Sequence, residues 1–72
     1  MSIGEKLKNL RLRTGRTLEE QSEILGVSLT SIYRWEHDLA VPLQAVLIKI
    51  SVVYNVPIGW LLNGSAHTRP KS

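Results

Sequence analysis

Seventy-two residues without a cysteine allow one small domain, and exclude a disulfide framework and any thiolate metal site. The apolar share of 43% comes almost wholly from Leu, Ile and Val, with no Phe and only two Trp and two Tyr, which suits a helical bundle. A formal charge of +3 points only weakly to an anionic partner, because Lys6, Lys8, Arg11, Arg13 and Arg16 crowd the first segment while Glu19, Glu20 and Glu23 follow at once. Lys49, Asn55 and Pro57 interrupt the longest apolar stretches, short of the roughly twenty residues that span a membrane. Glu5, Lys6 and Lys8 occupy the place of a signal peptide's apolar region, so the expected location is the cytoplasm.

In chain order, Ile3, Leu7 and Leu10 recur at helical spacing and predict a first helix over Ile3 to Thr14, with Gly15 as its stop. Thr17 and Glu20 form a capping box that opens a second helix ending at Leu25. Gly26 supplies a left-handed turn, and Ser28 caps a third helix that carries Ile32 and Trp35 inward. After an irregular stretch from His37 to Pro42, Leu43 to Tyr54 predicts a fourth helix with Val46, Leu47, Ile50, Val53 and Tyr54 toward the core. Asn55 resembles a left-handed cap, Pro57 suits the first turn of a short fifth helix over Ile58 to Leu62, and Asn63-Gly64 closes it. The reading is a domain over residues 1–64 with a polar tail over 65–72, all-α, with neither repeats nor an interior linker.

Two helices that cross closely at a steep angle need a small residue at the crossing and a tight turn, and Ser22 and Gly26 meet those needs while Leu25 and Val27 seal the turn. With those positions, the stretches IGEKLKNLR (Ile3 to Arg11), TLEE (Thr17 to Glu20), GVS (Gly26 to Ser28), IYRWE (Ile32 to Glu36) and VPIGWLLNG (Val56 to Gly64) make the chain resemble the Cro/repressor, or XRE, class of helix-turn-helix proteins. The resemblance implies a compact five-helix, lambda-repressor-like bundle and operator binding as a symmetric dimer. Three departures bear on the DNA contacts. Arg16 and Gln21 replace residues usually apolar, Leu18 stands where many phage members carry a DNA-contacting Gln, and the loop His37 to Val41 has Asp38 in place of a frequent Gly and no Lys or Arg.

With Ile32 and Trp35 inward, helical geometry leaves Leu29, Thr30, Tyr33, Arg34 and His37 outward, on a helix over about Ser28 to His37 suited to the major groove. Leu29, Thr30, Tyr33 and Arg34 are the expected base contacts, with Arg34 matched to guanine and Leu29 to a thymine methyl. Thr17, Ser28, Arg16 and His37 are the expected phosphate contacts, although Thr17 and Ser28 would cap their helices in any case and a solvated basic face accounts for Lys6, Arg13 and Arg16 singly. In the resembled class the positions of Arg11 and Glu36 hold a partly buried ion pair, which reads as structural. Val56, Pro57 and Ile58 are the expected dimer patch, and Trp60 with Leu61 and Leu62 reads as core. Periodicity along the second helix also predicts that Gln21, near the Ser22 crossing, is at least partly covered and that Ile24 is unusually exposed.

His37 and His67 stand alone and no phosphate-loop or HExxH pattern occurs, so no enzyme activity, cofactor, metal or small-molecule substrate is expected. The expected function is that of a phage- or plasmid-type transcriptional repressor binding palindromic double-stranded DNA as a homodimer. The alternative is a protein-interaction module that keeps the fold without binding specific DNA.

Overall fold

A computed structural model describes residues 2–63, which form five helices in chain order: α1 (Ile3–Arg13), α2 (Leu18–Leu25), α3 (Leu29–Glu36), α4 (Gln44–Tyr54) and α5 (Ile58–Asn63). Gly64 and the tail over 65–72 lie outside the described residues. No helix among the described residues is long and apolar enough to cross a membrane.

Local chemistry sets the boundaries. Ser2 and Glu5 form one capping box and Thr17 and Glu20 a second, each hydroxyl accepting the third helical N–H while the acid accepts the cap's own. Ser28 caps α3 by accepting from the Ser31 amide at 3.1 Å. Gly26, at φ +68°, makes the sharp turn into α3 at no steric cost, and Asn55, at φ 55°, ends α4 in the same left-handed region. Three boundaries fall one residue from the sequence expectation: Thr14 and Leu43 are caps outside α1 and α4, and α5 runs on to Asn63.

One core joins all five helices: Ile3, Leu7 and Leu10 of α1, Leu25 of α2, Ile32 and Trp35 of α3, Leu47 and Ile50 of α4, and Leu61 of α5. Val27, Val46, Val53 and Tyr54 pack around it, half-buried. Gln21 is buried and receives a hydrogen bond from the Tyr54 hydroxyl, while Ile24 is exposed. The apolar-to-polar departure at Gln21 thus has its partner on α4, as a buried amide requires.

Two expectations need correction at the α1–α5 contact. Lys6 is buried, with its ammonium donating to the Trp60 carbonyl and lying 4.6 Å from the Trp60 ring centroid, so it does not belong to a solvated basic face. Trp60 is 39% exposed rather than core, because a six-residue helix resting on the surface turns one residue fully inward, and that residue is Leu61. Lys6 thereby ties α1 to the last turn of α5 through the Trp60 carbonyl. Burial holds the Lys6 pKa below the ordinary lysine value.

Candidate nucleic-acid interface

α3 is fixed from behind. Ile32 and Trp35 are buried and spaced three apart, so the opposite side of this eight-residue helix must face out. Leu29, Thr30, Tyr33, Arg34 and His37 are all exposed, as the sequence periodicity requires. Leu29 and Tyr33 are 40% and 46% exposed, an apolar content that solvation alone gives no reason for.

The far end of α3 is tied to α1. Arg11 Nε and Nη2 donate to the two Glu36 carboxylate oxygens at 2.7 and 2.9 Å, a two-pronged pair, and Arg11 Nη1 donates to the Arg16 carbonyl at 3.0 Å. The hydrogen bond to Glu36 raises the Arg11 pKa above the ordinary guanidinium value, and burial, acting the other way, does not cancel it. Behind the pair, the Arg16 guanidinium stands 5.1 Å from the Tyr54 ring centroid with its Nη1 buried. Arg16 is therefore partly drawn toward the body of the domain and is not a freely extended phosphate ligand.

Asp38 is the residue whose use the sequence did not disclose. It adopts φ 58°, the conformation for which Gly is frequent at this position, and turns its carboxylate onto the first turn of α1, accepting from the Ser2 hydroxyl at 2.9 Å and the Gly4 amide at 3.2 Å. A carboxylate at a helix N-terminus is electrostatically favoured. Gly4 belongs to the same contact, since a Cβ there would stand 2.5 Å from Asp38 Oδ1 and closer still to the Trp35 carbonyl oxygen. No sequence-local signal links positions 4 and 38.

The other candidate ligands are already engaged within the domain. Thr17 Oγ1 accepts from the Glu20 amide at 3.1 Å and the Thr17 amide donates to Glu20 at 2.8 Å, while Ser28 Oγ lies 2.9 Å from Ser31 Oγ besides its capping bond. His37 stacks on Tyr33 at 4.0 Å and its Nδ1 is 2.8 Å from the Tyr33 carbonyl. The loop beyond α3 exposes Leu39, Val41 and Leu43, a run of apolar side chains whose exposure the sequence reading did not single out. Val56 and Ile58 are half-buried against the core, leaving Pro57 as the exposed member of the expected dimer patch.

The helix-turn-helix family pattern matches residues 7–61, which hold α2, α3, α4, the turn at Gly26 and most of α1 and α5. The chain belongs to this family. It is 36% identical over 62 residues to the HTH-type transcriptional regulator ImmR of Bacillus subtilis (strain 168), covering 86% of this chain and 49% of that one. It is 39% identical over 64 residues to the HTH-type transcriptional activator BcrR of Enterococcus faecalis, covering 89% of this chain and 31% of that one. The chain thus spans half or less of these relatives' length. Among solved structures, SinR, described as the master regulator for biofilm formation, in complex with DNA superposes with a TM-score of 0.75 at 33% identity, over 83% of this chain and 97% of that one. The SinR/SinI complex gives 0.78 at 30% identity, over 96% of this chain and 68% of that one. These relatives fit the XRE type of helix-turn-helix regulator that the sequence resembles.

Proposed function

We propose that this chain is the DNA-binding part of a transcriptional regulator that lays α3 in the major groove of a palindromic operator, one copy per half-site. The observation that carries this reading is the α3 face: Leu29, Thr30, Tyr33, Arg34 and His37 point out while Ile32, Trp35 and Glu36 hold the helix to the domain. Arg34 offers two parallel donors to guanine O6 and N7, Thr30 a hydroxyl to a base edge, and Leu29 apolar contact to a thymine methyl. Thr17 and Ser28, at the starts of α2 and α3, meet the flanking phosphates in addition to capping, with Arg16 adding positive charge beside Thr17. Val56, Pro57 and Ile58 are the assigned contact between two copies, whose half-sites then lie about one helical turn apart. Repression follows wherever the operator overlaps a promoter.

The exposed Leu39, Val41 and Leu43, in a loop without Lys or Arg, favour a second reading in which the surface meets another protein. Salt separates the two, because displacing counterions from each contacted phosphate gives a log-log slope of about −0.9, which apolar docking lacks. Arg34→Ala is the direct test. A base contact predicts a loss of about 1–3 kcal/mol on the cognate duplex and a flattened preference at one base pair. Unchanged affinity on both cognate and scrambled duplexes would remove α3 from the DNA interface.

A further inference from the structure

His37, an expected phosphate contact, has surroundings that give it a different task. It lies four residues after Tyr33, one turn further along the same face of α3, at the helix C-cap. The two rings stack at 4.0 Å between centroids and 25° between planes. The His37 Nδ1 is 2.8 Å from the Tyr33 carbonyl, and since a carbonyl oxygen only accepts, Nδ1 carries the proton and donates. That carbonyl also accepts the His37 amide at 3.1 Å, so one oxygen holds both the backbone and the ring of His37 in place. The neighbouring acids are committed elsewhere: Glu36 to Arg11, and Asp38 to Ser2 and Gly4. The imidazole is therefore anchored at the Tyr33 carbonyl and its face is spent on the Tyr33 ring.

Tyr33 is 46% exposed, and on an exposed helix face an unbraced tyrosine samples more than one rotamer. We propose that His37 is a positioning residue for DNA recognition, bracing the Tyr33 ring in one orientation on the groove-facing side of α3 so that base contact does not have to order it. This rests on the reading of α3 as the DNA-contacting helix. Ordering one such side chain ahead of binding corresponds to about two- to tenfold in affinity. The effect is confined to duplexes on which Tyr33 makes its contact.

The test combines the free protein with a double-mutant cycle. In the free wild type, NMR couplings about the Tyr33 χ1 bond should report one rotamer, averaging in His37→Ala and largely retained in His37→Phe, which keeps a stacking ring. With cognate and scrambled duplexes, His37→Ala should weaken cognate binding by about two- to tenfold and leave scrambled binding unchanged. In a Tyr33→Ala background it should have no further effect. Rotamer averaging in the wild type overturns the inference whatever the DNA result. Additive losses in the cycle, with scrambled binding falling equally, overturn it in favour of an independent phosphate contact. An ordered Tyr33 in a protein that binds no duplex instead sinks the DNA-binding reading, and the role of His37 in recognition with it, while leaving the brace itself intact.

Discussion

Replacing Arg11 by Met should come close to unfolding the domain, and the reasons can be worked from the geometry. The Arg11 and Glu36 side chains are 12% and 4% exposed, so neither charge can recover its hydration when its partner is lost. Breaking a buried pair from one side costs about 3–5 kcal/mol, because an uncompensated charge is left in a poorly solvated place. Arg11→Met also leaves the Arg16 carbonyl without its 3.0 Å donor, which adds about 1 kcal/mol. A chain of 72 residues has a total stability of about 4–11 kcal/mol at ordinary values per residue. The loss is thus a large part of the whole, and at roughly 4–8 °C per kcal/mol it lowers the melting temperature by at least about 12 °C. Glu36→Leu should behave similarly. The double replacement should lie within about 1–2 kcal/mol of wild type, since it removes both charges together and fails only to supply the Arg16 carbonyl. Urea unfolding followed by far-UV circular dichroism and by tryptophan fluorescence measures all four corners of the cycle. Single replacements costing less than about 1 kcal/mol would show that the pair behaves as a solvated surface bridge, and the account of how α3 is anchored would be wrong.

Gly4→Ala should destabilise by about 1–3 kcal/mol, since the new methyl meets the Trp35 carbonyl and the Asp38 carboxylate, and a midpoint shift no larger than that of an exposed-site control would contradict the close approach. Tyr54→Phe should cost about 1–3 kcal/mol by leaving the buried Gln21 oxygen without its donor, while Tyr54→Phe with Gln21→Leu should recover most of that loss in the same chemical unfolding assay. For Lys6, burial lowers the folded-state pKa, so the unfolded chain binds the proton more tightly in the window between the lowered and the ordinary value. Wild type should accordingly gain stability relative to Lys6→Met as the pH rises toward the ordinary lysine range; a wild-type-minus-variant difference that stays flat between about pH 7 and pH 10 counts against that burial cost.

What the sequence determined by itself is everything that depends on neighbours along the chain. The capping pairs Ser28 with Ser31 and Thr17 with Glu20, the left-handed turns at Gly26 and Asn55, and the inward spacing of Ile32 and Trp35 act within one or two helical turns. Once Ile32 and Trp35 are inside, the outward set from Leu29 to His37 follows without further information, so the candidate interface was legible before any tertiary contact was known. The tie between Arg11 and Glu36 came from resemblance, because nothing local distinguishes that arginine from its basic neighbours on α1. Only the tertiary structure decided the remaining polar contacts. Asp38 found the first turn of α1, Gln21 found Tyr54, and Lys6 found the Trp60 carbonyl on α5. Each joins residues distant in sequence, and each satisfies a buried or helix-terminal polar group whose need for a partner arises only after the helices have packed. The same packing withdrew Arg16 toward Tyr54 and left Trp60 at the surface, outcomes that helical periodicity cannot set because they depend on which neighbouring helix lies within reach.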